Sequence, residues 1–312
     1  MKDGAQHKRI LVAGASGTIG HAVCEALLAD GHEVIGQVRY HAPLPTGFSA
    51  VFTIGLNDPD ELATQMKCVQ PDVVISCIAS RSGSPKDAEA VDFRANLNLL
   101  KAAEGVGANH FILLSAICVQ KPRLAFQHAK IAFERALKAS EIDHTIVRPT
   151  AFFKSLSGQV ERVAKGGKFF LFGDGELTRC KPISDRDLAT FIVDCVTDPE
   201  RRNAVLPIGG PGPAMSLREQ GELLFEVAGK QPRFHSISPR LFTGIAKVLS
   251  LGAPFSGWFA EKAEYARIAH YYATESMLVL DAETGEYSAE KTPEFGEDTL
   301  RDHYREMLKA AR

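Results

Sequence analysis

Apolar positions along the first half of the chain recur with two alternating periods. The short runs RILVAG (9–14), HEVIGQVR (32–39), DVVISCIAS (72–80), HFILLSAI (110–117) and TIVRPT (145–150) are almost continuously apolar, as strands buried on both faces are. Between them, HAVCEALLADG, DPDELATQMK, VDFRANLNLLKAAEGVG and LAFQHAKIAFERALKAS carry apolar residues three and four apart, the spacing of a helix with one face in a core. Strand and helix in strict alternation predict βαβ units around a parallel sheet, that is, an α/β, doubly wound fold of Rossmann type.

The second half is less regular. KFFLFGDGELTRCKPI turns at Gly173–Gly175, SDRDLATFIVDCVTD is a helix opened by a Ser184 cap, NAVLPIGGPG is a strand running into a glycine turn, and MSLREQGELLFEVAG is a further helix. The expected division is a dinucleotide-binding domain over 1–150 and a smaller substrate lobe over 151–312. The lobe covers the C-terminal edge of the sheet and returns one or two elements to it. No run of eighteen apolar residues occurs. The nearest, LFTGIAKVLSLGAPFSGWFA, is broken by Lys247, Gly252 and Pro254.

Composition narrows the function. A formal net charge of −2 in 312 residues leaves no electrostatic footprint for nucleic acid. The six cysteines (24, 68, 77, 118, 180 and 195) show neither a C-x-x-C pair nor metal-ligand spacing, so reduced thiols are expected. The short head before Arg9 carries no apolar signal region, which reads as a cytoplasmic protein.

GASGTIG, Gly14 to Gly20, follows a strand directly and opens a helix. In that setting Gly14, Ser16, Gly17, Thr18, Ile19 and Gly20 are the expected cradle of a dinucleotide pyrophosphate. An acid about 20 residues on would take the ribose 2′-hydroxyl of NAD. This chain has Arg39 there, with no acid from Val34 to Val51. A planar guanidinium suits a 2′-phosphate, so NADPH is the expected cofactor.

Ser115 at a strand end and Lys130 on the next helix resemble the site of short-chain dehydrogenase-like reductases. In those enzymes a tyrosine four residues before the lysine exchanges the hydroxyl proton, and the lysine holds the nicotinamide ribose. Here that position is Phe126. The tyrosines are 40, 265, 271, 272, 287 and 304, none close to it along the chain, so ordinary alcohol–ketone chemistry is not expected. Hydride addition to a carbon–carbon double bond forms no alkoxide and needs no such phenol.

LLSAICVQKPRLAFQHAK, IVRPTAFFKSLSGQV, FGDGELTRCKPISDRDLA, VLPIGGPG and YYATESMLVLDAETGEYSAEKTPEFGEDTL resemble the divinyl chlorophyllide a 8-vinyl reductase family, an atypical short-chain dehydrogenase group, over essentially the whole chain from Arg9. The resemblance implies NADPH-dependent reduction of the C8 vinyl group of divinyl chlorophyllide or protochlorophyllide, a magnesium tetrapyrrole, to ethyl. It also implies that phenylalanine at 126 is a family feature. On this reading Lys130 and Ser115 are the catalytic candidates, with Lys130 and Pro149 at the nicotinamide. Phe126, Phe152 and Phe153 face the pigment, and Lys154 meets its carboxylate. Phe242, Phe255, Trp258 and Phe259 form either an apolar wall for the pigment, the packing of the second lobe, or a weak membrane-surface contact. Many relatives of this fold place an adenine-binding aspartate after the third strand, where this chain has Gly55, with Asp58 a little later. The competing readings are a non-catalytic NADP sensor, another tyrosine-free double-bond reductase and, more distantly, a sugar-nucleotide epimerase.

Overall fold

A computed structural model describes residues 7–39, 44–53, 55–253 and 256–310. The strands Arg9–Ala13, Glu33–Val38, Ala50–Thr53, Val73–Ser76, His110–Leu114, Asp143–Pro149 and Ala204–Ile208 form one parallel sheet. Counted in chain order, they lie 3-2-1-4-5-6-7 across it. The order reverses between the first and fourth strands, and ligands of such sheets bind at the carboxyl ends beside that reversal.

Alternation along the strands explains the layers, since successive side chains leave opposite faces. Ile10 and Val12 point to one side with Val23, Leu27, Leu188 and Ile192. Leu11 points to the other with Leu62, Leu99, Phe111, Phe133 and Ile146. Both faces are therefore dry, which is why the strands read as continuous apolar runs. The first face is covered by the helices Thr18–Ala29 and Asp185–Thr197, the second by Pro59–Val69, residues 85–105 and Ala125–Lys138.

Two elements from beyond residue 150 thus belong to the sheet layer: the helix Asp185–Thr197 and the seventh strand, which pairs with the sixth from Thr145↔Ala204 onward. Ser184 caps that helix by accepting from Asp187 N at 2.9 Å. Its own hydroxyl donates to Asp298 at 2.7 Å, which ties the tail to the sheet layer. The remaining residues build a separate core around Phe169, Leu224, Phe225 and Tyr304. Beside it a helical hairpin, Arg240–Gly252 and Gly257–Thr274, lies over the strand ends.

Candidate active site

The glycine loop is built for close approach. Gly14 adopts φ +80°, which an L side chain resists. Its N–H and that of Ala15 both donate to Gln37 O at 3.1 Å, fixing the loop to the second strand. Gly17 N closes the turn on Gly14 O at 2.9 Å. A Cβ at Gly20 would meet Gly14 O at 2.2 Å, so the helix touches the loop backbone directly. Ser16, Gly17 and Thr18 are exposed at the tip, whereas the Ile19 side chain is buried in the core, leaving only its backbone toward a ligand. Gly17 caps the helix with no side chain, so the first-turn N–H groups stay open to an anion. These features fit a dinucleotide pyrophosphate. Arg39 is exposed just past the second strand. Asp58 is used otherwise: it caps the helix Pro59–Val69 by accepting from Glu61 N at 3.0 Å.

Next to the loop, a cavity of about 730 Å³ opens over the ends of the fourth, fifth and sixth strands, within the range of organic-ligand sites. Ser115, Phe126, Lys130, Pro149 and Phe152 all line it. Lys130 Nζ pairs with Asp92 Oδ1 at 3.0 Å, with side chains 10 % and 0 % exposed. Asp92 also accepts from Ser80 N at 3.3 Å. Its second oxygen is buried without a partner among the described residues. Asp92 lies in a π-helical stretch, Glu89–Ala95, inside the helical run 85–105. Such wide turns often mark functional sites. VDFRANLNLL reads as a plain helix, and its one sequence clue is an acid in an otherwise apolar helical pattern.

Ser115 Oγ donates to Glu134 Oε1 at 2.6 Å, and Arg148 grips both oxygens of that carboxylate. The serine proton is thereby committed, leaving the hydroxyl oxygen to accept from a ligand. Neither Glu134 nor Arg148 stands out in the sequence.

Two expected positions lie elsewhere. Phe153 does not face the cavity: it is 3 % exposed, packs in the second core and lies 5.3 Å from the His303 ring. Adjacent residues 152 and 153 diverge, so only Phe152 is available to a ligand there. Lys154 reaches back to the glycine loop, donating to Thr18 Oγ1 at 2.6 Å, and is absent from the cavity wall. Of the four aromatics read as a pigment wall, lobe packing or a membrane contact, Phe255 lies outside the described residues. Phe242 packs on Phe172 at 5.5 Å, while Trp258 and Phe259 pack on each other at 5.0 Å. The wall comes instead from Tyr265, Ile268 and Tyr272, on one face of the helix Gly257–Thr274. Distance along the chain was therefore a poor guide to which phenols reach Lys130.

Among the sulfur-bearing residues that line the cavity are Cys77 and Cys118. Burial pushes the Cys77 thiol up to about 12 and raises that of Cys118 as well. Both stay protonated and are weak nucleophiles.

Fold and loop together define a dinucleotide-dependent protein, and residues 14–199 match a family model described as NAD(P)H-binding. The chain belongs to that family. More narrowly, it belongs to the divinyl chlorophyllide a 8-vinyl-reductases. It is 44 % identical to the chloroplastic enzyme of that name from Zea mays over 98 % of this chain and 80 % of that protein. The Arabidopsis thaliana counterpart is likewise 44 % identical, over 96 % and 76 %. Among solved structures, a putative epimerase from Burkholderia cenocepacia superposes with a TM-score of 0.71 at 18 % identity, covering 99 % of both chains, a likeness of fold.

Proposed function

We propose that this protein reduces the C8 vinyl group of divinyl chlorophyllide a, or of divinyl protochlorophyllide, to ethyl, with NADPH as reductant. The observation that carries the reading is a chain-long relationship to the vinyl reductases combined with an apolar cavity holding one buried ammonium at its floor. The bound dinucleotide supplies a hydride for the terminal vinyl carbon. Lys130, pinned by Asp92, orients the nicotinamide ribose, and Ser115 accepts from a ligand hydroxyl or amide. Phe126 and Phe152 offer ring faces to the flat macrocycle. Charge developing beside the vinyl carbon spreads into the conjugated ring, so no oxyanion site is required of the protein. Selection of NADPH rests on Arg39.

The test is an anaerobic incubation of the protein with divinyl chlorophyllide a and either NADPH or NADH, read by chromatography and by the Soret shift. Conversion with NADPH is expected. Arg39→Ala should raise KM for NADPH by about 10- to 100-fold, the loss of one or two charge-assisted hydrogen bonds, and leave NADH use unchanged. No conversion of either divinyl pigment by protein that demonstrably binds NADPH would sink the assignment.

A membrane-surface location is part of the same reading. No described helix is long and apolar enough to cross a membrane. Yet the hairpin exposes Leu241, Ile245, Val248, Leu251 and Trp258, an apolar face backing the helix that lines the cavity. Co-sedimentation with galactolipid vesicles is expected, and Val248→Asp with Trp258→Asp should abolish it. Protein that stays in the supernatant without these changes would remove the membrane from the picture.

A further inference from the structure

The site holds a phenol after all, delivered by another helix. Tyr265 and Tyr272 both line the cavity, on the same helix face as Ile268. That helix is fastened to the lysine side of the site at several points. Glu264 accepts from Ala125 N at 3.2 Å, at the start of the lysine helix. The Tyr271 hydroxyl sits between the carbonyls of Cys118 and Lys121 at 2.9 and 3.1 Å. Glu275 binds Lys121 and Arg123 at 2.8 Å each and accepts from the Tyr287 hydroxyl at 2.9 Å.

These fastenings sort the phenols. Tyr271 is consumed in holding the helix. Tyr265 lies 5.0 Å from the Lys262 ammonium and beside Glu261, so its ring and hydroxyl are engaged by charges of its own helix. Tyr272 is 45 % exposed and lines the cavity beside Cys118, its ring 5.8 Å from that of Tyr271. Cys118 in turn feels the charge of Lys130. Lys130, Cys118 and Tyr272 thus line one and the same cavity.

Building on the vinyl-reductase reading, we propose that Tyr272 is the proton donor of the reduction. The C4–H bond of the dihydronicotinamide breaks with its electron pair, which forms the new C–H bond at the terminal vinyl carbon. The vinyl π pair shifts to the adjacent carbon and into the macrocycle. The Tyr272 O–H bond then breaks, its proton goes to that carbon, and the phenolate is reprotonated from water.

Two properties of the site suit this role. A phenol is protonated at neutral pH without help and gives up its proton only when a strong base, such as the carbanion beside the vinyl carbon, forms. Burial raises the neighbouring Cys118 thiol, so it stays protonated and brings no competing thiolate charge to the site. Lys130 is the poorer donor, because losing its proton would strand the buried Asp92 carboxylate.

The experiment compares the full-length protein with Tyr272→Phe and, as a control for loosening the helix, Tyr271→Phe. Unaltered protein must convert divinyl chlorophyllide a with NADPH; if it does not, the vinyl-reductase reading fails, and Tyr272 falls with it. Given conversion, Tyr272→Phe should lower kcat about 10²-fold or more, as loss of a general acid does, with NADPH affinity unchanged by fluorescence. In D2O, unaltered protein and Tyr271→Phe should place deuterium on one face of the new methylene, and Tyr272→Phe on both. Without any reductant, divinyl chlorophyllide a should shift the one 13Cζ-tyrosine resonance that Tyr272→Phe removes. Single-face labelling retained in Tyr272→Phe, at whatever rate, or an unmoved resonance, would overturn the assignment.

Discussion

Replacing Lys130 by Met is expected to lower turnover by about 10²- to 10³-fold, the scale of losing a group that positions a reactant, and to destabilise the protein by about 3–5 kcal/mol. The two effects have different origins. Turnover falls because no ammonium is left to fix the ribose, and methionine fills the same volume without a charge. Stability falls because Asp92, with no exposed side-chain surface, keeps its negative charge and loses its one cationic partner. A second change, Asp92→Leu on top of Lys130→Met, should restore most of the stability and none of the turnover, since an apolar pair replaces a buried ion pair at little cost. Urea midpoints of the three proteins and single-turnover rates with NADPH separate the effects. Turnover of Lys130→Met within tenfold of the unaltered protein would reduce the pair to a structural contact.

This pairing also shows where the sequence was legible and where it was not. Local rules, which depend on neighbours in the chain, read through cleanly. Six of the seven strands, the glycine loop and the Ser184 cap are visible as apolar runs, turn residues and capping chemistry, whereas the half-exposed edge strand Ala50–Thr53 makes no apolar run. Lys130 was visible because its setting, a strand end followed by an amphipathic helix, is local too. Asp92 was hidden by helix geometry. The wide turn at Glu89–Ala95 changes which residues face inward, and a regular 3.6-residue count does not register it. Tyr272 was hidden by topology, because its helix reaches the site only through tertiary locks such as Glu264 on Ala125. Lys154 was misdirected for a simpler reason. A long flexible side chain at a strand edge has several carboxylate, phosphate or hydroxyl partners within reach, and here Thr18 is the one it meets. The phenylalanine at 126 no longer signals a site without a phenol. It lines the same cavity and packs in one cluster with Ile268 and Tyr271 of the phenol's helix.

Gly20→Ala should separate the cofactor half of the site from the pigment half, with a loss of NADPH affinity of more than about 100-fold, or about 2.7 kcal/mol. The added methyl would stand 2.2 Å from Gly14 O and 2.9 Å from Gly14 C. Both are backbone atoms of a loop held to the second strand by three hydrogen bonds, so neither can swing aside as a side-chain tip would. The helix must therefore back away from the loop, and the first-turn N–H groups that would meet the pyrophosphate move with it. Gly31→Ala is the matched control. Gly31 has φ +85° but open space around it, so alanine there adds backbone strain of about 1–2 kcal/mol without touching the loop. Isothermal titration with NADPH should then show normal affinity in Gly31→Ala and none measurable in Gly20→Ala, at comparable thermal stability. Pigment binding, followed by the Soret band without reductant, should survive in both, because the cavity wall is made by other residues. Normal NADPH affinity in Gly20→Ala would mean that the pyrophosphate does not rest on this helix, and the cradle would have to be sought elsewhere along the sheet edge.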